Sequence, residues 1–452
     1  MYTWVEGKAF GAVQLSFRKS LYCTEVATTR PFIGLTTYGP YEATDVRILH
    51  IVPDEISCYL KQGKILDMVC EQLCERLRSF LEIVGKKVEV ESERVKNVAT
   101  VNGRNVEISP EIKDRLSKAE KFVILLPLIR KCLGDRITRS IYAKLKALGL
   151  EKGCTIQVYA DKTIEALLLK ESERADALLW NLALNVFAKA GGKPWALYNE
   201  LSYDLILGIG WSIKKRYETV TGPVIKYYGL IHTFSNIGVW DSFEALILEG
   251  EVKRKAQLIV LEEALSFVIE NKIKDRKHNR ILVLTRETLE TDVIRKLGKH
   301  CKKQGLDLDI ARISDTHPIR MYSTSSNTLT IPKGVCFALS DRVGLVATTG
   351  EVEGKYYGIG VPKPLLVTIL MTTREDKQLE TLYEVMRATY ELTAMNWRTL
   401  WTSIRLPTPV HYSKIVAQMF EMLSDTDIER AFLKKGKHIY MPAMLGDRPW
   451  FI

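Results

Sequence analysis

Tyr142 and Lys146 stand four residues apart in a stretch of helical periodicity. Asn181, Asn185 and Lys189 repeat that four-residue step further on and run into Gly191-Gly192-Lys193-Pro194-Trp195. The chain closes on Pro449-Trp450-Phe451-Ile452, whose last residue carries a carboxylate. On an α-helix, side chains four residues apart share one face at about 6 Å along the axis. A lysine supplies a point charge for a phosphate, and a tyrosine donates a hydrogen bond while its ring offers a stacking face. A carboxamide ladder that ends in an ammonium suits consecutive phosphates with an accompanying divalent ion. Taken alone, each set is more simply a solvated helix face, so the chemistry depends on the sets being brought together.

The elements that must position them can be read from periodicity. Over 135–148, Ile137, Ile141, Leu145 and Leu148 form an apolar stripe, with Tyr142 and Lys146 on the stripe beside it. Residues 172–190 read as a helix stopping at the glycine pair. Ile65, Leu66, Met68, Val69, Leu73, Leu77, Phe80 and Leu81 predict an amphipathic helix over 65–84. Strands are expected at 47–52, 122–126 and 155–159, and a glycine- and proline-punctuated turn at 34–41. This alternation predicts a parallel, doubly wound α/β domain ending near residue 190.

Beyond it, the apolar run at 204–210 reads as a central strand, followed by β-branched and aromatic stretches over 216–235 and 240–248. A strand at 280–284 lies between helices expected at 253–271 and 288–304, and two more helices follow at 379–393 and 412–424. Antiparallel strands followed by mixed elements fit a ribonuclease H-like architecture.

At 452 residues the chain exceeds a single core, and two domains are expected. A net charge of +11 favours a polyanionic partner, nucleic acid before an anionic membrane surface. The amino terminus lacks a basic segment leading into an apolar core, and the longest strongly apolar run, 122–129, is far below membrane-spanning length. A cytoplasmic protein with no membrane insertion is expected. Eight cysteines spread from Cys23 to Cys336 without a CxxC pair read as core thiols, including Cys70 and Cys74 one turn apart.

The segment Lys189–Trp195, Tyr142-Ala143-Lys144-Leu145-Lys146, Met395-Asn396-Trp397-Arg398 and the terminal Pro449-Trp450-Phe451-Ile452 together resemble the MID and PIWI domains of Argonaute proteins. Residues 34–41 and Asp315-Thr316-His317-Pro318 extend the resemblance to the short archaeal Piwi-like type. It implies a strand-rich extension over 1–35, a Rossmann-like MID domain over 36–190 and a ribonuclease H-like PIWI domain over 191–452. It also implies that Tyr142, Lys146, Gln157 and Lys189 contact the 5′ phosphate of a guide strand and that Asn181 touches the second phosphate. Arg398 falls to the guide backbone or to a carboxylate partner. Asn185 and the Ile452 carboxylate fall where the family binds a divalent ion; Mg²⁺ is reasonable there, because a carboxylate beside phosphates needs a cation between them.

Cleaving Argonautes hold metal on converging carboxylates. At the matching positions this sequence has Gly210, Thr285 and Lys414, and a lysine would compete with the ion, so a catalytically inactive PIWI fold is expected. Asp204 lies about 20 Å along the strand from Gly210. His317 beside Pro318 reads as a packing residue.

The resemblance implies a guide-loaded sensor: a short guide RNA (or DNA), a complementary DNA target recognised without cleavage, and a separate effector or PAZ-like accessory protein. Antiviral or anti-plasmid defence through abortive infection is the expected setting. Two rivals stand beside it, a metal-dependent nuclease using displaced acids such as Asp204 or Glu287, and a sequence-neutral nucleic-acid-binding protein.

Overall fold

The computed structural model describes residues 7–17, 26–55, 64–102, 105–130, 134–169, 171–218, 222–249, 255–256, 259–263, 280–324, 329–351, 361–400, 404–442, 445 and 448–452. The chain divides into two compact units. One comprises 15–196, 397–401 and 418–452; the other comprises 1–14, 197–396 and 402–417. The expected linear partition at residue 190 therefore differs from the observed one: the division falls at 196, and the last 35 residues return to the unit that contains residues 15–196.

That unit is built on a four-stranded parallel sheet. Its strands are β1 (Val46–Pro53), β2 (Val88–Val95), β3 (Val123–Leu128) and β4 (Thr155–Ala160), in the order β2-β1-β3-β4. All six residues of β3 are buried, as a strand covered on both faces requires, whereas the edge strand β2 carries Glu89, Glu91 and Glu93. The helices are α1 (Pro31–Tyr38), α2 (Lys64–Leu81), α3 (Asp135–Glu151) and α4 (Ser172–Lys189). On α2, Ile65, Leu66, Val69, Leu73, Leu77 and Phe80 are buried at helical spacing, while Met68, assigned to the same stripe, is exposed. Phe80 meets Phe187 of α4 edge to face at 5.3 Å, which locks the two helices together.

The turn expected at 34–41 is instead mostly helix. Pro31 occupies the first turn of α1, where a missing N–H costs nothing, and the helix stops at Gly39 with φ 83°. Gly34 has a packing role: a Cβ there would come within 2.2 Å of the Phe17 ring.

The other unit is centred on β5 (Leu205–Glu218), β6 (Gly222–Ser235), β7 (Trp240–Glu249), β8 (Arg280–Thr285) and β9 (Asp307–Ser314). β5 pairs antiparallel with β6, β6 antiparallel with β7, and β5-β8-β9 run parallel. Three antiparallel strands followed by two parallel ones on the other side of the first is the ribonuclease H-like arrangement. β10 (Val335–Ala338), β11 (Val343–Val346) and β12 (Leu365–Thr372) extend the sheet beyond β9 through antiparallel pairs. The core between β5, β8, β9 and α5 (Thr291–Gln304) contains Leu207, Val283, Ile310 and Leu297. Helices α6 (Gln378–Glu391) and α7 (Thr408–Met422) follow, α7 contributing its residues up to Ala417 to this unit. The helix expected at 253–271 is helical at 255–256 and 259–263; its remainder lies outside the described residues.

Candidate phosphate-binding site

Lys189 is the last residue of α4, and the helix stops there for a local reason. The Gly191 N–H donates to the Ala188 carbonyl at 3.0 Å and the Gly192 N–H to the Phe187 carbonyl at 3.1 Å, the paired bonds of a Schellman termination. Gly191 has φ 98°, and a Cβ on Gly192 would come within 2.1 Å of the Phe187 ring. The glycine pair thus ends the helix and closes the chain onto it. Thr155 at the start of β4 donates to the Lys189 carbonyl at 3.2 Å, tying helix end to strand. Gly192→Ala is expected to push Phe187 off its seat, costing about 1–3 kcal/mol of stability and displacing Lys189; thermal melting and phosphate-analogue binding check the two effects.

The side chain of Lys189 is fully buried, and Lys146 on α3 is 3% exposed. The solvated-face alternative is therefore overturned for both. Lys146 Nζ donates to the Trp450 carbonyl at 2.8 Å and to the Ile452 oxygen at 3.2 Å; Lys189 Nζ donates to the same Ile452 oxygen and to Gln157 Oε1. Gln157 lies on β4, and its Nε2 donates to the Val158 carbonyl at 2.8 Å. Tyr142 presents its ring to Lys146, with the ammonium 5.3 Å from the ring centroid. The terminal segment is held by aromatic packing: Phe420 on Phe432 at 5.6 Å, Phe432 on Trp450 at 5.7 Å.

Burial, the largest effect, and the nearby Arg398 lower the Lys146 pKa to about 7 against an opposing pull from Lys189. Lys189 is held well below the ordinary lysine value by burial, then by repulsion from Lys146 and Arg398. Burial raises the Tyr142 phenol, against an opposing pull from Arg398, so it remains a donor at neutral pH. Two buried amines thus gather on the Ile452 oxygen beside the partly exposed Arg398 guanidinium. Such a site gains most from an anion that restores charge to its lysines.

Asn181 and Asn185 lie one and two turns before Lys189. Asn181 Oδ1 accepts from the Leu400 N–H at 3.0 Å, leaving the carboxamide nitrogen as the group a phosphate would take. Asn185 Nδ2 donates to the carbonyls of Asn181 and of Arg398, the latter at 3.2 Å. A carboxamide oxygen and a carboxylate oxygen are hard donors of the kind Mg²⁺ takes, and in this structure the Ile452 oxygen is held by Lys146 and Lys189. Among the described residues no group of three His, Cys, Asp or Glu is placed to hold a metal.

The positions matched to the catalytic acids lie in the other unit. A Cβ on Gly210 would come within 2.7 Å of Ser413 Cβ. Thr285 ends β8, and its hydroxyl accepts from the Glu287 N–H at 3.1 Å; Lys414 is exposed. Asp204 is engaged at the other end of β5, where it accepts from the Arg280 N–H at 2.9 Å. His317 bonds the Pro364 carbonyl at 2.8 Å, in agreement with a packing role. The five described cysteines are buried and free of disulfides. No described helix is long and apolar enough to cross a membrane.

Sequence reasoning missed the Trp450 carbonyl as a partner of Lys146, since a main-chain acceptor leaves no trace in residue type. It also missed the convergence of Arg286 and Arg405 on Asp315, beyond the ends of β8 and β9.

The fold is shared with solved Argonaute structures. Similarity to Clostridium butyricum Argonaute bound to a guide DNA and a 19-mer target DNA has a TM-score of 0.63 at 15% identity, over 99% of this chain and 55% of that one. For A. aeolicus Argonaute the TM-score is 0.60 at 19% identity, over 98% and 56%. For Aa-Ago with externally bound siRNA it is 0.61 at 19% identity, over 92% and 54%. The chain therefore spans little more than half the length of these proteins. Curated protein sequences give no match. The Piwi domain family matches residues 132–423, well over half of the chain, and the chain belongs to the Piwi family.

Proposed function

We propose that this protein anchors the 5′ phosphate of a short guide strand, RNA (or DNA), and recognises a complementary DNA target without cutting it. The observation that carries the reading is the buried meeting of Lys146 and Lys189 beside Gln157, Tyr142 and Arg398, with both ammoniums below their ordinary pKa. A phosphate dianion entering there restores the charge on the lysines and takes donors from Tyr142 and Gln157. Asn181 would meet the second phosphate. The Ile452 carboxylate and Asn185 Oδ1 would hold Mg²⁺, which supplies positive charge between carboxylate and phosphates. The binding of guide and target DNA by C. butyricum Argonaute supports the same choice of ligand.

Loss of cleavage follows from Gly210, Thr285 and Lys414, and is supported by Ser413 filling the space a side chain at 210 would need. A protein that pairs a guide to a target without cutting needs an output elsewhere, so a separate effector or PAZ-like partner completes a cytoplasmic antiviral or anti-plasmid response ending in abortive infection. Base pairing supplies specificity while the protein reads backbone and duplex shape.

Binding of matched strands bearing 5′ phosphate or 5′ hydroxyl, from about pH 5 to 9, tests the anchor. Because Lys146 titrates near 7 in the unliganded protein, forming the complex above pH 7 requires proton uptake. The 5′-phosphate affinity then falls as pH rises, by up to about tenfold per unit for each proton taken up. Below pH 6 it falls again as the phosphate gains its second proton, whose pKa is about 6. Equal affinity for the two strands at every pH would favour the sequence-neutral binder.

A further inference from the structure

Strand alternation turns His50 of β1 to the face of the sheet opposite Leu49 and Ile51. There it lines a cavity of about 430 Å³ together with Asp67, Cys70, Glu71 and Cys74 of α2. The imidazole is fully buried, and its Nε2 stands 3.0 Å from the Tyr159 hydroxyl on β4. Its Nδ1, equally shut off from water, has no hydrogen-bond partner. Sealed from water, the ring is neutral at pH 7. With its one proton on Nε2 toward Tyr159, the open Nδ1 carries a lone pair, which is the orientation an outer hydrogen bond gives to a metal-binding histidine.

Cys70 and Cys74 are 5% and 3% exposed and stand four residues apart on α2, so they lie one turn apart on one helix face. The Cys70 thiol hydrogen-bonds the Cys74 sulfur, which sets the two sulfur atoms side by side. Asp67, Glu71 and Glu75 line the same cavity against the single cation Arg78. On a chain whose net charge is +11, this anionic mouth repels phosphate and collects cations. The donors then select the kind of cation. Thiols suit soft metal ions and imidazole borderline ones, whereas Mg²⁺ prefers oxygen. Among the described residues no group of three His, Cys, Asp or Glu is placed around one point, which disfavours the closed four-ligand shell of a structural Zn²⁺. An ion satisfied by two sulfur ligands fits the pair as it stands, and Cu⁺ is such an ion.

We infer that Cys70 and Cys74 form a two-thiolate site for Cu⁺, with His50 Nδ1 beside it as the nitrogen donor for a third coordination position. Each thiol releases its proton as the ion enters, and neither sulfur nor copper changes oxidation state. The burial that makes these cysteines read as core thiols also keeps the thiolates away from water and oxidants. The site is independent of the phosphate anchor, whose amines and oxygens are not soft donors.

The test uses the full, reduced chain without nucleic acid, under anaerobic conditions, with Cu⁺ presented as its coloured bathocuproine disulfonate chelate. One equivalent of Cu⁺ is expected to pass to the protein and to stay there in excess Mg²⁺. X-ray absorption at the copper edge of the loaded wild type is expected to show two sulfur neighbours; nitrogen and oxygen neighbours alone overturn the site without recourse to any variant. Cys70→Ser and Cys74→Ser are each expected to abolish the transfer, whereas Cys336→Ser, a buried cysteine of the other unit, keeps it. His50→Gln is expected to weaken Cu⁺ binding by about 10–100-fold, and an unchanged affinity overturns the part given to the imidazole. Absence of transfer to the wild type, or transfer that persists in both serine variants, overturns the site. So does a wild type that takes Zn²⁺ in preference to Cu⁺.

Discussion

Lys146→Met combined with Lys189→Met lowers affinity for a 5′-phosphorylated strand by about 100-fold or more and leaves the 5′-hydroxyl strand within about twofold. Each lysine contributes a charge-assisted hydrogen bond worth about 1.5–3 kcal/mol in a dry setting, and the two act on one ligand, so the single changes are expected to overlap rather than add. Methionine keeps the apolar stem and removes the buried charge. The double change also strips two donors from the Ile452 oxygen, a loss that threatens folding, so Lys189→Met alone provides the control. It leaves Lys146 bonded to Trp450 and Ile452 and is expected to cost about 10-fold or more in phosphate preference. Fluorescence anisotropy on matched strands measures both variants. Retention of the wild-type preference in a folded Lys189→Met protein would sink the anchor.

Replacing Gly210, Thr285 and Lys414 together by aspartate yields no cleavage of a guide-paired target and a less stable protein. The Cβ introduced at 210 comes within 2.7 Å of Ser413 Cβ and 3.3 Å of its main chain. Ser413 has little room to retreat, because its one hydroxyl proton is shared between the Gly208 carbonyl at 3.1 Å and the Pro409 carbonyl at 2.8 Å. Overpacking of this kind costs about 1–3 kcal/mol, and an aspartate that does fit meets the positive field of Arg286 and Arg405 instead of a metal. Adding Ser413→Gly relieves the collision and separates packing from chemistry: stability should return while cleavage stays absent. Thermal melting and an assay with labelled target in Mg²⁺ or Mn²⁺ read the two effects. Guide-dependent cutting by the wild type that vanishes in Asp204→Ala or Glu287→Ala would restore the nuclease reading, although Asp204 is already committed to the Arg280 N–H.

Local order was legible in the residues alone. The stripes of α2 and α3, the uninterrupted apolar run of β3 and the glycine pair after α4 are patterns of neighbours along the chain, and secondary structure responds to neighbours. The same local reasoning failed at 34–41, where Gly34 looks like punctuation but serves the Phe17 ring, a contact between residues 17 apart. Met68 failed for a related reason, since hydrophobicity states a preference for burial and the partner surface decides whether it is met.

The sequence by itself determined which groups could hold a phosphate: lysines and carboxamides at helical spacing, an aromatic terminal segment, and the absence of acids at 210, 285 and 414. Only the tertiary structure decided that Lys146 and Lys189 are buried, that they reach Ile452 across 306 and 263 positions, and that Gln157 on β4 receives one of them. It alone brought Arg286 and Arg405 to Asp315 beyond β8 and β9. The physical reason is that a charge's strength depends on what surrounds it. An exposed lysine is ordinary, whereas the same lysine desolvated beside a second cation requires an anion, and desolvation is a property of the packed chain rather than of any residue in it.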